Sequence, residues 1–153
     1  MAAKKKKYSD AARIGIGVLV SVLVVLIVGM MFLVSGIQGT ARVVNYAGLV
    51  RGETQRLVKM EIAGQTEDEM LRDVERFIDS LRNGDAELQL VKLNDALFQF
   101  KMEQLDSYFQ TLKGEIYRVR EVGYENTQII TKSEKFFVIC DQATGLAEQY
   151  SQK

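Results

Sequence analysis

The chain contains no histidine, no proline and no tryptophan, and Cys140 is its single cysteine. Without histidine, Ser-His and Cys-His nucleophile pairs and most zinc sites are excluded, and one cysteine excludes an intrachain disulfide. The absence of proline, with only 12 glycines among 153 residues, favours long helices. We therefore expect an all-α protein that is not an enzyme and that holds neither a metal nor a cofactor.

An apolar run extends from Ile14 to Val34 without a single charged residue. As an α-helix it would span roughly 32 Å, which matches the hydrocarbon core of a bilayer at about 30 Å. We therefore predict a transmembrane helix over residues 14–35. The alternative is a cleaved signal peptide, with Gly39-Thr40-Ala41 as the cleavage site. The apolar part of such a peptide usually runs about 7–15 residues, which is shorter than this segment.

The first 13 residues form a basic tail, in which five lysines and arginines stand against one aspartate. The net charge of the tail is thus +4. Since the whole chain has a formal net charge of zero, the remaining residues sum to −4. Positive flanks of a membrane span stay in the cytoplasm, so we expect the tail inside and the main domain outside. The lysines could instead serve as a nucleic-acid or lipid-binding tail. The outer part has no basic footprint for nucleic acid, so membrane lipid is the expected partner.

Residues 41–153 show the periodicity of four helices and no convincing strand. The third of these has the clearest pattern, with apolar residues that alternate strictly at spacings of 4 and 3: Phe98, Met102, Leu105, Phe109, Leu112, Ile116 and Val119. Such a seam suits packing at about 20° in a helical bundle. We predict one transmembrane helix followed by an up-down-up-down four-helix bundle, with helices at about 41–63, 67–82, 95–121 and 127–151.

The second and fourth outer helices have weaker apolar stripes. The second is predicted to bury Met70, Val74, Phe77 and Leu81, after a capping box formed by Thr66 and Glu69. Asn94 or Asp95 is the expected N-cap of the third helix, and Asn126 or Thr127 is expected to begin the fourth. The fourth helix places six residues on one stripe: Ile130, Ser133, Phe137, Cys140, Thr144 and Ala147.

The first outer helix carries polar side chains in the middle of an otherwise apolar face. That face consists of Val44, Gly48, Arg51, Gln55, Val58 and Ile62, with Asn45 and Arg56 on an adjacent face. An arginine offers a planar fork of five donors and stays charged even when half-buried, so it suits a small oxyanion or carboxylate. Gly48 and Gly52 would allow a ligand or a second helix to approach closely. The competing interpretation is an ordinary surface arginine paired with a nearby carboxylate.

The stretch Asn45-Tyr46-Ala47-Gly48-Leu49-Val50-Arg51-Gly52-Glu53-Thr54-Gln55-Arg56-Leu57 resembles an Ala-Gly-x-x-Arg-x-x-Ser-Gln-Arg signature. That signature belongs to the periplasmic four-helix-bundle sensor domain of type IV pili methyl-accepting chemotaxis transducers and nitrate/nitrite sensor kinases. The similarity is nearest to the N-terminal sensor half of bacterial membrane-bound diguanylate cyclases and histidine kinases. It covers residues 14–153, but only the motif is specific.

This resemblance implies a location in a bacterial cell membrane and a homodimer formed through the first outer helix. In the nitrate-binding members the motif arginine contacts the anion across that interface, and the matching position here is Arg51. The resemblance supports a ligand site of Arg51, Gln55, Arg56, Asn45, Gly48 and Thr54, with Thr54 where the chemotaxis branch has serine. Glu53, expected beside Arg51, argues against nitrate itself. The family also has a second membrane span and a cytoplasmic output domain, which these 153 residues do not contain.

Two functional hypotheses remain open at this point. The first is an extracytoplasmic ligand-sensing module of a transmembrane receptor, which binds a small anionic solute. The second is a single-pass membrane tether or receptor remnant whose bundle binds no ligand. Cys140 is expected to be a buried core thiol, with an interchain disulfide or redox role as the alternative. The Asp and Glu residues are expected to lie on solvated helix surfaces.

Overall fold

The computed structural model describes the backbone of residues 2–152 and the side chains of residues 12–34 and 38–152. Within this range the protein is helical and contains no β-strand, so the predicted all-α class is confirmed. The four α-helices are α1 (Ala2–Ile62), α2 (Asp68–Asn83), α3 (Ala96–Val122) and α4 (Ile129–Ser151). A short 3₁₀ turn, Tyr124–Asn126, lies between α3 and α4.

The chain divides into two compact units, Met1–Ile37 and Gln38–Lys153. The first unit contains a helical stretch whose most apolar window has a mean hydropathy of 3.0 and buries none of its residues inside the protein. By length and composition this helix can cross a membrane. The basic tail predicted over residues 1–13 falls mostly on residues 1–11, whose side chains lie outside the described residues.

The second unit has a core built around α3. The predicted seam of this helix is confirmed, because all seven residues from Phe98 to Val119 on that stripe are at most 7% exposed. The Phe109 ring packs against Phe136 of α4 with ring centroids 5.7 Å apart. Leu97 and Phe100, which lie off this stripe, are 68% and 58% exposed, so α3 buries the face that the 4 and 3 spacing predicts.

The outer part of α1 buries a face next to the one that carries Arg51. Its core residues are Val43, Ala47, Val50, Thr54, Leu57, Val58 and Glu61. Of the six residues on the polar-apolar face considered above, only Val58 is fully buried, whereas the others are half-buried. Arg51 and Gln55 therefore lie at the edge of the core, where they can contact both protein and solvent.

The predicted stripes of α2 and α4 are partly wrong. On α2, Leu71 and Ile78 are buried, whereas the predicted Met70 and Phe77 are only half-buried. On α4, the buried positions are Ile129, Ser133, Phe136, Cys140, Ala143 and Ala147, so three predicted residues are displaced by one position. The cause is the presence of adjacent apolar pairs, either member of which can face the core; packing buries the second member on α2 and the first on α4.

Most helix ends lie at or near the residues at which the sequence predicts them. Asp95 caps α3, because its carboxylate accepts from the backbone N–H groups of Leu97 and Phe98, both at 3.0 Å. Gly84 and Gly123 end α2 and α3 with φ of +82° and +78°, a conformation that favours glycine. α4 begins at Ile129, two residues after Thr127, because Tyr124–Asn126 form a separate 3₁₀ turn.

The predicted capping box at the start of α2 is wrong. The N-cap residue is Glu67, which makes no side-chain capping bond. Its backbone N–H instead donates to Glu61 Oε1 of α1 at 3.2 Å. The Glu61 carboxylate at the end of α1 therefore satisfies the N–H of the N-cap residue, which is the part that Glu69 was expected to play.

The segment between α2 and α3 is an ordered loop that packs on the core. Asp85 organises it, because its side chain accepts from the N–H groups of Glu87 and Leu88 and from the Ser80 hydroxyl. These bonds hold the pKa of the Asp85 carboxyl below its usual range, chiefly through the Leu88 amide. Leu90 and Leu93 insert into the core at 5% and 1% exposure.

Candidate functional site

Arg51 lies where α1 meets α4 and is held by two side chains of α4. Its Nη1 donates to Asp141 Oδ1 at 2.6 Å, and its guanidinium carbon lies 5.4 Å from the centre of the Phe137 ring. The Arg51 side chain is 36% exposed and the Asp141 side chain is 62% exposed. A salt bridge and a cation–π contact thus fix the guanidinium in place while solvent can still reach it.

Gln55, one turn further along α1, faces the same helix. Its Nε2 donates to the backbone carbonyl of Ser133 at 3.4 Å. The Ser133 hydroxyl itself donates to the carbonyl of Ile130 and lies in the core at 4% exposure. Two of the six predicted site residues, Arg51 and Gln55, are therefore brought together at the junction of α1 and α4, which we call the α1/α4 seam.

The seam can offer hydrogen-bond donors to an anion. A guanidinium carries five N–H donors, and the structure commits one of them to Asp141. Because the bond to Asp141 is largely exposed, it contributes only about 0.2–1 kcal/mol and can exchange with another anion. The chemistry available at this place is recognition of an oxyanion or carboxylate.

Cys140 adjoins Asp141 in sequence but takes no part in such recognition. It is a free cysteine at 1% exposure, which agrees with the expected core thiol. Burial raises the pKa of the Cys140 thiol to about 12, while the nearby Arg51 opposes the shift and Asp141 adds to it. The thiol therefore stays protonated and is a poor nucleophile.

Asn45 and Arg56 lie on the exposed face of α1, away from the seam. Arg56 lines a groove of about 330 Å³ between α1 and α2, together with Glu53, Glu67, Glu69 and Asp73. Four carboxylates beside one guanidinium disfavour an anion there. The expectation that Arg56 supports Arg51 at one ligand site is therefore not met by this geometry.

Glu53 was expected beside Arg51, and this expectation is wrong. Residues two apart on a helix point to different faces, and Glu53 faces the groove against α2. The carboxylate that pairs with Arg51 is Asp141 of α4. Glu53 therefore gives no argument against nitrate. The carboxylate with which an anion would compete for Arg51 is Asp141.

Gly48 and Gly52 leave open space on α1. A Cβ added at either position would meet nothing within 4 Å, so neither glycine is required by packing inside this chain. Thr54 lies elsewhere: it is 0% exposed within the core, and its hydroxyl has no hydrogen-bond partner among the residues that the structure describes. Thr54 is thus a core residue and does not reach a ligand at the seam.

Two carboxylates that the sequence placed on solvated surfaces are buried instead. Glu61 is 3% exposed and accepts from Arg120 Nε at 2.9 Å and from Arg120 Nη2 at 2.5 Å. The guanidinium of Arg120 also bonds Asp68 at 2.8 Å, and these carboxylates raise its pKa. The group ties the end of α1 to the start of α2 and the end of α3.

Glu115 forms the second buried carboxylate site, at 4% exposure. It accepts from Lys132 Nζ at 2.8 Å and from the backbone N–H of Gln128 at 2.9 Å. The Lys132 hydrogen bond lowers the pKa of Glu115, and the Gln128 amide adds to the effect. Glu115 thus holds the start of α4 against α3, a structural role that spacing along α3 alone did not reveal.

The residues that sequence reasoning missed at the seam are Asp141 and Phe137. Phe137 was expected to be in the core, whereas it is 37% exposed and covers Arg51.

In the described part of the chain, no group of three or more Cys, Asp and Glu side chains is arranged to hold a metal ion. Comparison with protein-family models, curated proteins and solved structures gives no match, so the family resemblance stays a prediction.

Proposed function

We propose that the protein is the extracytoplasmic ligand-sensing module of a bacterial transmembrane receptor. The observation that carries this proposal is Arg51, a half-exposed guanidinium held by an exchangeable partner at the junction of two helices. A small anionic solute would bind Arg51 in place of Asp141, with the Gln55 amide as a second donor.

The proposed membrane anchor is the apolar stretch over residues 14–35. Its length and hydropathy support a transmembrane helix. The basic residues of the sequence before it support a cytoplasmic N-terminus, and the acidic chain after it supports an extracytoplasmic domain. The anchor is thus expected to contact membrane lipid.

The proposed architecture of the second unit is an up-down-up-down four-helix bundle. Its support comes from side-chain pairs that occur in opposite order along successive helices. Between α2 and α3 the pairs are Asp68–Arg120, Glu75–Lys113 and Arg82–Asp106. Between α3 and α4 they are Lys101–Gln142, Phe109–Phe136 and Glu115–Lys132.

The proposed signal is a change in the packing of α1 against α4. Asp141 links these helices through Arg51, and the Gln55 bond lies one turn away. An anion that takes the guanidinium would release α4 from α1 at this level. The solute can shift the equilibrium toward the released packing only by the difference between its binding free energies for the two packings. The expected movement is a small shift of one helix against the other.

The proposed homodimer would use the exposed face of the first outer helix. Asn45, Leu49 and Arg56 lie on this face, and Gly52 lies between them with open space around its Cα. A glycine at the centre of a helix face lets a second helix approach closely. Self-association of the full chain, measured by analytical ultracentrifugation in detergent, would test this part separately.

The test of the proposed function is a calorimetric titration of the full chain in lipid nanodiscs with sodium nitrate, acetate and formate. At least one anion should bind the wild type saturably, and Arg51→Ala should abolish that binding. Arg72→Ala is the matched control, because it removes an exposed arginine of α2 that belongs neither to the seam nor to the proposed dimer face. Equal losses for both variants, or binding untouched by Arg51→Ala, would contradict the proposal.

The second candidate is a single-pass membrane tether without a ligand. The observation in its favour is that Asp141 already neutralises the charge of Arg51 within the chain. In that case the Arg51–Asp141 pair would only hold α1 to α4. The tether is favoured if none of the three anions binds the wild type in the same titration.

A further inference from the structure

A groove of about 680 Å³ lies between α3 and α4, and its lining includes neither Arg51 nor Asp141. Its volume falls within the range of about 300–1,000 Å³ that is typical of small-molecule sites. The groove combines apolar side chains, among them Phe100 and Ile139, with two lysines and several neutral polar groups. It therefore has the mixed character of a ligand site.

Lys101 presents a fixed positive charge on one side of this groove. Its Nζ donates to Gln104 Oε1 at 2.8 Å and to Gln142 Oε1 at 2.9 Å. Both acceptors are neutral amides, and no carboxylate in the described part of the chain forms a salt bridge with Lys101. The two bonds position the ammonium group without neutralising it.

Lys135 supplies the second charge. Its Nζ lies 5.2 Å from the centre of the Tyr108 ring, so the aromatic face holds the ammonium group over the groove. Like Lys101, it forms no salt bridge within the residues that the structure covers. An aromatic ring stabilises a cation but leaves its charge available to an anion.

The spacing of the two charges indicates the size of a suitable ligand. On α3 the Lys101 ammonium is anchored at Gln104 and the Lys135 ammonium at Tyr108, four residues further on, so these two anchoring residues lie roughly 6 Å apart along the helix axis. Apolar surface is available in the groove, since Phe100 is 58% exposed and Ile139 is half-buried. The groove thus offers two separated cations and an apolar surface.

We propose that this groove binds a small organic dicarboxylate, with one carboxylate at Lys101, the other at Lys135, and an aliphatic body over Ile139 and Phe100. The choice of an anion rests on charge complementarity: the lining contains two ammonium groups without a salt bridge and only one carboxylate, Glu103. This site is separate from the anion site proposed at Arg51. The two sites can therefore be tested independently.

The experiment is a calorimetric titration of the full chain in nanodiscs with suberate, a dicarboxylate whose aliphatic body of methylene groups can contact the apolar side chains of the groove. Monomethyl suberate has the same length with one charge fewer, and succinate has both charges on a shorter body. Suberate should bind more tightly than either analogue. Suberate binding no tighter than that of its monomethyl ester would overturn the two-cation site, and an absence of saturable binding would overturn the proposal entirely.

Lysine variants locate the binding. Lys101→Gln and Lys135→Gln should each weaken suberate binding up to about fivefold, the factor expected from one exposed charge pair. Lys59→Gln, which removes an exposed lysine of α1, is the matched control and should have no effect. Glu103→Gln should strengthen binding, because it removes the one carboxylate of the lining.

Arg51→Ala separates this inference from the proposed function. It should leave suberate binding unchanged, since Arg51 is not part of the groove lining. Suberate binding that depends on Arg51 and is untouched by both lysine variants would overturn the groove site while supporting the seam. All of these residues are exposed or half-buried, so unchanged far-ultraviolet circular dichroism is expected and would confirm that each variant is folded.

Discussion

Replacing Thr54 with valine should stabilise the protein. The Thr54 hydroxyl is 0% exposed and has no hydrogen-bond partner within the described residues, so folding removes it from water without compensation. A buried polar group left unpaired costs about 1–3 kcal/mol. Valine has nearly the same shape and a similar helix propensity, so the exchange creates neither a cavity nor a backbone penalty. We expect the free energy of unfolding to rise by about 1–2 kcal/mol.

Urea unfolding of the full chain in detergent, followed by circular dichroism, measures this change. With a slope of about 2 kcal/mol per molar urea, the midpoint should rise by roughly 0.5–1 M. Thr144→Val is the matched control, because the Thr144 hydroxyl donates to the Cys140 carbonyl at 2.9 Å and its loss should destabilise slightly. A Thr54→Val variant that loses stability as Thr144→Val does would refute the reasoning, because the Thr54 hydroxyl would then have a partner.

Two further predictions concern titratable groups. The pKa of Glu115 is lowered in the folded state, chiefly by the Lys132 hydrogen bond, so its contribution to stability is present above its unfolded pKa of about 4.5 and is lost as the pH falls through the folded value. Urea midpoints measured from neutral to acidic pH should fall, and Glu115→Gln should flatten that dependence; an identical pH dependence in wild type and variant would contradict this. The Cys140 thiol, buried and with its pKa raised to about 12, should resist iodoacetamide at mildly alkaline pH and react readily after unfolding in urea. Mass spectrometry that finds equal labelling in both states would show that the thiol is accessible.

The sequence predicts the fold best where one apolar stripe runs unbroken along a helix. On α3 the spacings of 4 and 3 continue over seven residues, whereas neighbours such as Leu97 and Phe100 begin no stripe of that length, and every residue of the long stripe is buried. On α4 the pairs Ile129–Ile130 and Phe136–Phe137 offer two choices, and the sequence alone does not decide between them. The packing of α4 against α3 buries the first member of each pair and leaves the second exposed.

The candidate site is less predictable, because its partners come from a distant helix. The periodicity of α1 identifies Arg51 and Gln55 on one face, and both lie at the seam. Asp141 follows Arg51 by 90 residues, so only the register between α1 and α4 brings them together. The same holds for Glu61 and Arg120, 59 residues apart, whose buried pair depends on where α1 and α3 end. Spacing within one helix carries no information on such registers.

The affinity of Asp141→Asn for the anion that binds the wild type tests the central claim most directly. Asparagine has the shape of aspartate without its charge, so the variant should release Arg51 to the anion. Because the exposed pair is worth at most about 1 kcal/mol, we expect binding up to about fivefold tighter than in the wild type. Affinity that is unchanged or weaker in Asp141→Asn would contradict the claim that the anion and Asp141 compete for the same guanidinium.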